Sequence, residues 1–183
     1  MSATPPRRKL LLAGGAAALA AAATGVFWQQ RAERRSAEAE AALAEDTAGF
    51  WQLRFPTPDG GELATASLRG HPVVLNFWGS WCPPCVKEMP DLDRFAREHP
   101  AWRVLGLAVD NPRAVRDFLA RQPVGYAIAM AGFDGSELAR QLGNTQGGLP
   151  FTVFFDRAGR VWRRKTGETH FAELSAWARE MGA

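Results

Sequence analysis

The segment from Val73 to Cys85 decides the fold, and it reads VVLNFWGSWCPPC. Its first half is a nearly continuous apolar run, which is typical of a strand buried on both faces of a sheet. A glycine ends the run, and two cysteines separated only by prolines follow. Because proline is favoured in the first turn of a helix, the segment predicts a central strand that leads into a helix at the cysteine pair.

The cysteine pair is the candidate for chemistry. Cys82 would lie at the helix N-terminus, where free N–H groups and the helix dipole stabilise a thiolate. A thiolate is the form that attacks a disulfide, so Cys82 is the predicted nucleophile and Cys85, one turn further, would resolve a mixed disulfide. Pro83 and Pro84 stiffen the turn between them.

Three other interpretations of the pair stay open: a structural disulfide, half of a zinc site, or two unrelated core cysteines. A complete zinc site needs four ligands. The chain has no further cysteine, and its histidines are scattered at positions 71, 99 and 170. No metal ligand is therefore predicted.

Composition limits the class of protein. At 183 residues and 46% hydrophobic content, the chain has room for one domain plus a leader. The 22 basic and 19 acidic residues are spread along the chain and leave a formal charge of only +3. This mixed pattern gives no support for nucleic-acid binding, and the basic run at Arg160, Arg163, Arg164 and Lys165 is interpreted as a charged edge strand.

The rest of the chain predicts an α/β fold. Apolar residues at helical spacing predict a helix from Pro83 to His99, kinked at Pro90. Apolar residues on both sides of the turn at 56–61 predict an N-terminal β-hairpin. The order predicts three layers, with a mixed sheet, parallel in its middle and antiparallel at one edge, and helices on both faces. The further predicted elements are strands at 104–109, 126–130, 151–155 and 161–162, and helices beginning at Asn111-Pro112, near Ser136 and around Phe171.

The first 28 residues resemble a signal or anchor segment. Arg7, Arg8 and Lys9 precede a charge-free stretch from Leu10 to Trp28. A membrane-spanning helix needs about 20 residues, so an uncleaved anchor is favoured, although small residues near Ala20 also permit cleavage. The two arginines leave twin-arginine export open. Residues 29–47 are predicted to be a spacer and residues 48–183 the folded domain.

The stretch from Asn76 to Pro90, NFWGSWCPPCVKEMP, closely resembles the active-site segment of the TlpA-like thioredoxin family. These are exported, membrane-linked reductases, including those of cytochrome c biogenesis. The resemblance extends from about Phe50 to the C-terminus. It implies a three-layer thioredoxin-like fold with an N-terminal β-hairpin and a family-type central insertion. It also implies a protein-disulfide reductase whose redox-active disulfide is Cys82–Cys85, with no metal or organic cofactor.

The resemblance assigns roles to further residues. It implies that Leu149-Pro150 is a cis bond that faces the dithiol and presents backbone to a substrate. It implies that Trp81 shields and positions the pair, and that Glu88 tunes the thiols and relays protons. The alternative for Glu88 is an exposed helix carboxylate beside its lysine neighbour. Trp78 is expected to be a core aromatic.

The resemblance also implies partners and a location. Clients would be exported proteins such as apocytochrome c or copper-site assembly proteins, and electrons would come from an integral-membrane thiol donor of the CcdA or DsbD type. The domain would lie on the periplasmic side of the inner membrane, anchored by residues 10–28, or be soluble in the periplasm if the leader is cleaved. A monomer is the simplest expectation.

Other functions stay open. They are a disulfide oxidase or isomerase on the same fold, and a non-catalytic client-binding or metallochaperone module. A peroxidase is disfavoured, because Gly79-Ser80-Trp81 precede Cys82 without the proline and threonine expected before a peroxidatic cysteine.

Overall fold

The computed structural model describes residues 28–31, 34, 47 and 49–182. The predicted anchor, apart from its last residue, and most of the predicted spacer lie outside the described residues. Within the described ranges, no helix combines the length and the apolar character needed to cross a bilayer. One compact unit of the chain runs from residue 43 to residue 183.

Strands and helices interleave along this unit, as predicted. The central sheet has the strand order β5-β4-β3-β6-β7, and β1 and β2 form a separate antiparallel pair. The pairs β3–β4 and β4–β5 are parallel, whereas β3–β6 and β6–β7 are antiparallel. The elements are β1 (Arg54–Pro56), β2 (Glu62–Ala64), a 3-10 helix (Thr65–Leu68), β3 (Val73–Trp78), α1 (Pro83–Glu98), β4 (Arg103–Ala108), α2 (Pro112–Arg121), β5 (Ala127–Met130), α3 (Gly135–Gln141), β6 (Phe151–Phe155), β7 (Val161–Thr166) and α4 (Phe171–Met181).

Helices cover both faces of the central sheet. α1 and α2 connect parallel strands in the same direction, and right-handed crossovers therefore put both on one face. Buried side chains of α1, α2 and α4 share one core cluster. The connection through α3 runs back across the sheet, and α3 contributes to a second cluster together with Phe50 and Trp51.

β3 lies in the middle of the sheet, and all six of its residues are buried. Val74 and Trp78 belong to the α1 face, whereas Val73, Leu75 and Phe77 belong to the α3 face. A strand covered on both sides needs apolar residues at nearly every position, which explains the continuous run. Trp78 is a core residue, as expected.

The N-terminal hairpin is smaller than predicted. Phe50 is helical and Trp51 lies in a turn. Phe50 stacks on Phe155 with ring centroids 5.3 Å apart, and Trp51 Nε1 donates to the Gly159 carbonyl oxygen at 2.9 Å. These two residues are apolar because they fill the core beneath the sheet, and not because they belong to the hairpin.

Three residues of the basic run, Arg163, Arg164 and Lys165, lie on β7, an edge strand, as predicted, and Arg160 directly precedes it. Arg163 pairs with Glu180 at 3.0 Å, Lys165 pairs with Glu173, and Arg160 pairs with Asp156 at 2.8 Å. Because neighbouring carboxylates compensate these cations, the strand is not a concentrated surface for anions.

Candidate active site

Four loops meet at one edge of the central sheet. Trp78, Ala108 and Met130 lie side by side at the carboxyl ends of the parallel strands β3, β4 and β5. β6 runs the opposite way and begins at the same edge, because Phe151 lies opposite Phe77. The loops at 79–82, 109–111 and 131–134 and the segment before β6 therefore border one site.

The cysteine pair lies at this edge, where β3 leads into α1. Cys82 is the N-cap of α1, and Pro83 occupies its first turn. Cys82 and Cys85 form a disulfide, with Cα atoms 5.3 Å apart. The bond excludes the interpretation of two unrelated core cysteines. Cys82 is 4% exposed and Cys85 is fully buried, so Cys82 is the sulfur closer to solvent.

Pro83 and Pro84 are both exposed and border the disulfide. Within the residues that the structure describes, no three histidine, cysteine or acidic side chains cluster in a way that could hold a metal ion.

Glu88 lies one turn after Cys85, on the buried side of α1. It is fully buried, so the alternative of an exposed carboxylate beside Lys87 is wrong. Its Oε1 accepts a hydrogen bond from Asn76 Nδ2 at 2.7 Å, and its Oε2 accepts from the backbone N–H and the hydroxyl of Thr169, both at 2.7 Å. Lys87 points away from Glu88 and pairs with Glu168.

Burial raises the pKa of Glu88, while the hydrogen bonds from Thr169 and Asn76 act in the opposite direction. Glu168 adds a smaller repulsion that also raises this pKa. Among the described residues, no basic side chain lies within ion-pair distance of the Glu88 carboxyl group. The carboxyl group can therefore take up and release a proton closer to neutral pH than an ordinary glutamate.

Asn76 links Glu88 to the centre of the sheet. Its Nδ2 also donates to Thr152 Oγ1 at 3.0 Å, and its Oδ1 is buried without a hydrogen-bond partner. A neutral Glu88 carries a proton that needs an acceptor, and a rotation of the Asn76 amide would bring Oδ1 to it. The sequence revealed neither Thr152 nor Thr169, because both are far from the cysteines along the chain and belong to no local motif.

Asp110 holds the loop that precedes Cys82. This aspartate is 3% exposed and follows β4. Its Oδ2 accepts from Ser80 N at 2.9 Å and from Ser80 Oγ at 2.6 Å, and its Oδ1 accepts from Asn111 N at 2.7 Å. Trp81 Nε1 donates to the carbonyl oxygen of Val109 at 3.2 Å, although the side chain is 61% exposed. The ends of β3 and β4 are thus joined directly before the nucleophile.

We expect Asp110→Asn to lower the free energy of unfolding by about 1–3 kcal/mol. The NH2 group of the new asparagine would face N–H and O–H donors whose hydrogen bonds the Asp110 carboxylate now accepts. The loosened loop should also slow the reaction of Cys82 with a disulfide by about tenfold. Chemical denaturation and stopped-flow kinetics measure the two effects. Asp117→Asn, an exposed change on α2, is the matched control. Unchanged kinetics in Asp110→Asn would contradict the positioning role.

The Leu149-Pro150 bond is cis, as expected. The Pro150 carbonyl oxygen accepts from Gly167 N at 2.8 Å, and Leu149 packs against both core clusters. The preceding loop is tied by Asn144, whose Nδ2 donates to the Gly148 carbonyl oxygen at 2.9 Å. Since Phe151 pairs with Phe77, Pro150 lies at the same edge as the disulfide.

Comparison with known proteins agrees with this geometry. The Redoxin family model matches residues 43–176, which include every residue of the site. The chain belongs to the Redoxin family. Its resemblance to thioredoxin-like oxidoreductases, first indicated by the NFWGSWCPPCVKEMP segment, is confirmed, and the protein is a thiol-disulfide oxidoreductase.

Two curated relatives illustrate this similarity. Sporulation thiol-disulfide oxidoreductase A of Bacillus subtilis is 27% identical over 126 residues, which cover 66% of this chain and 74% of the relative. The thiol:disulfide interchange protein DsbE of Pseudomonas aeruginosa is 31% identical over 105 residues, or 57% of this chain and 56% of the relative.

Solved structures give the same result for the fold. MTB DsbF, solved in mixed oxidized and reduced forms, superposes with a TM-score of 0.63 at 29% identity, covering 72% of this chain and 96% of its own. A thioredoxin-related protein of Neisseria meningitidis serogroup B gives 0.63 at 28% identity, covering 71% and 98%. Thioredoxin-like oxidoreductases work through a redox-active disulfide, and Cys82 and Cys85 are the two cysteines of this Redoxin chain.

Proposed function

We propose that this protein reduces disulfides of exported client proteins by dithiol exchange at Cys82 and Cys85, with Glu88 handling the protons. The observation that carries the proposal is the buried Glu88 carboxyl group, which lies one turn from Cys85 and is held by Asn76 and Thr169, with no ion-pair partner among the residues that the structure describes. An acid of this kind beneath a sulfur pair is suited to a reaction that must deliver protons as well as electrons.

The reaction balances without a cofactor. The Cys82 thiolate attacks one sulfur of the client disulfide, so that a bond forms between Cys82 and the client while the second client sulfur leaves as a thiolate and is protonated. Cys85 then loses its proton and attacks Cys82. This step releases the first client sulfur as a thiol and closes the Cys82–Cys85 disulfide. Two electrons and two protons have moved to the client.

Two electrostatic effects oppose each other at the dithiol. The N-terminus of α1 stabilises a thiolate on Cys82, as in any thioredoxin-like protein. A carboxylate in a site of low dielectric constant disfavours a second negative charge nearby. A strongly oxidising pair, such as that of DsbA, owes its potential to a stabilised reduced form. Because Glu88 opposes that stabilisation, it favours a reducing pair.

The location and partners belong to the same proposal. The apolar segment from Leu10 to Trp28 supports a periplasmic domain tethered to the inner membrane, or released from it if the segment is cleaved. An oxidising compartment supplies no reductant of its own. We therefore propose an integral-membrane thiol donor of the CcdA or DsbD type, and clients such as apocytochrome c or copper-site assembly proteins. A monomer suffices for this chemistry.

The reduction potential of the pair tests the proposed direction. The full chain in detergent is equilibrated with glutathione or dithiothreitol buffers, and its thiols are trapped by alkylation. A value near that of thioredoxin, about −270 mV, is expected. A value near about −120 mV would make the protein an oxidant of client thiols and would reverse the proposed electron flow.

A further inference from the structure

Two large apolar side chains project into solvent from the edge that carries the disulfide. Trp81 is 61% exposed and Phe133 is 72% exposed, and within residues 49–182 they are the strongly exposed large apolar side chains. A single exposed aromatic residue is common on protein surfaces. Two of them at the edge where a substrate must react indicate a contact surface.

The sheet register places the loops that bear these two residues at the same edge of the sheet. Trp81 is the third residue after Trp78, and Phe133 is the third residue after Met130. Trp78 and Met130 are aligned through Ala108 on the strand between them. Neighbouring strands are about 4.8 Å apart, so the ends of β3 and β5 are separated by roughly 10 Å. An extended chain covers that distance with about three residues.

Val109 connects the two loops. Its carbonyl oxygen accepts from Trp81 Nε1 at 3.2 Å. Val109 Cγ2 packs so closely against Gly135 that a Cβ atom added at residue 135 would lie only 3.0 Å from it. The loop that bears Phe133 is itself held by a turn, in which Gly135 N donates to the Gly132 carbonyl oxygen at 3.2 Å. The two rings are therefore presented by ordered backbone.

An apolar recess of about 330 Å³ borders the same loop. It is lined by Leu53, Phe55, Ala131 and Leu138, with polar groups of Asp134, Glu137 and Gln141 at its rim. A recess of this kind, bordered by the loop that bears the exposed phenyl ring, can receive an apolar side chain from an extended polypeptide. It adjoins the catalytic edge on the β5 side of the disulfide, whereas Pro150 borders the disulfide on the β6 side.

We propose that Trp81 and Phe133, called here the aromatic pair, dock the client polypeptide next to its reacting cysteine and select an apolar residue about three positions from it. This inference rests on the proposed function, because a client disulfide that reacts at Cys82 brings its flanking chain across this edge. An extended segment that passes Trp81 reaches Phe133 and the recess after about three residues. Phe133 thus acts on specificity and has no part in the sulfur chemistry.

A series of synthetic peptides tests this inference. Each peptide has one cysteine in a glycine-serine background, capped as its mixed disulfide with thionitrobenzoate, and one phenylalanine at one to five positions on either side. The reduced full chain in detergent attacks the peptide sulfur, and thionitrobenzoate leaves as a coloured anion. We expect a peptide with phenylalanine about three positions away to react about tenfold faster than the peptide without it.

Phe133→Ser should abolish this preference, and Phe133→Leu should retain most of it. Both variants should reduce glutathione disulfide at the wild-type rate, because that substrate is too short to reach Phe133. Arg157→Ser, an exposed change in the turn at the opposite edge, is the matched control and should keep the preference.

The outcomes separate the two proposals. If the wild type reduces peptides with and without phenylalanine equally well, the docking inference is wrong while the reductase proposal stands. If Phe133→Ser slows the reduction of glutathione disulfide as much as the reduction of the peptides, the residue affects the reactivity of the dithiol itself. Docking is then also excluded. If the reduced wild type attacks no capped peptide at all, the proposed function fails first.

Discussion

Cys82→Ser is expected to lower the rate of disulfide reduction by at least about a thousandfold, because it removes the nucleophile and no second thiol lies at the surface of the site. Cys85→Ser is expected to behave differently. Its Cys82 still attacks the client, but nothing resolves the mixed disulfide, so the client stays covalently bound. The asymmetry follows from the geometry: Cys82 is the N-cap of α1 with slight exposure, whereas Cys85 is fully buried one turn inside the helix.

The rate at which insulin disulfides are reduced measures the loss of activity. Electrophoresis without reductant detects the trapped client. Each variant should unfold cooperatively under reducing conditions, so that a folding defect is distinguishable from a chemical one. A trapped client on Cys82→Ser, but not on Cys85→Ser, would reverse the assignment of nucleophile and resolving cysteine. Activity retained in both variants would place the chemistry outside the cysteine pair.

Glu88→Gln is the second change with a large expected effect. Resolution of the mixed disulfide requires Cys85 to lose its proton, and the carboxylate of Glu88 is the buried base on the same helix. General acid–base catalysis contributes about 10²–10⁴-fold, and we expect a loss near the lower end of that range. Glutamine nearly preserves the shape of the side chain, and rotation of the Asn76 amide would let Oδ1 accept from the new amide.

The pH dependence identifies the role of Glu88 in catalysis. Since burial raises the pKa of Glu88, the wild-type rate of resolution should increase as pH rises through that elevated value, where the carboxylate forms. Glu88→Gln should lack this increase and follow only the titration of the thiols. Single-turnover kinetics over a range of pH provide the measurement. If the variant leaves the thiol titration and the rate profile unchanged, Glu88 has no part in proton transfer.

The same group makes stability depend on pH. A carboxyl group whose pKa is higher in the folded state than in the unfolded state binds its proton more tightly when folded. Its stabilising contribution is complete below the unfolded pKa of about 4.3 and is lost as pH rises through the folded value. Glu88→Gln should lack this decline in the free energy of unfolding. Glu98→Gln is the matched control, because Glu98 is an exposed carboxylate on the same helix that pairs with Arg94.

Local sequence patterns were sufficient to predict most of the fold. The continuous apolar run of β3 identified the central strand, and the proline after Cys82 placed the start of α1. The resemblance to the thioredoxin-like family was visible within one short segment, and the cis bond before Pro150 followed from that resemblance. The hairpin was less predictable, because Phe50 and Trp51 are apolar for reasons of core packing that strand periodicity does not distinguish.

The sequence by itself determined the redox pair, the helix that activates it and the order of strands and helices, because all of these depend on neighbouring residues and on periodicity. Only the tertiary structure decided that Glu88 is buried rather than exposed, that Thr169 and Asn76 hold it, and that Asp110 ties down the loop before Cys82. It also decided that Phe133 shares an edge with Trp81. The physical reason is that each of these contacts joins residues that are far apart in the sequence, and their proximity arises only from the pairing of strands and the packing of helices against the sheet.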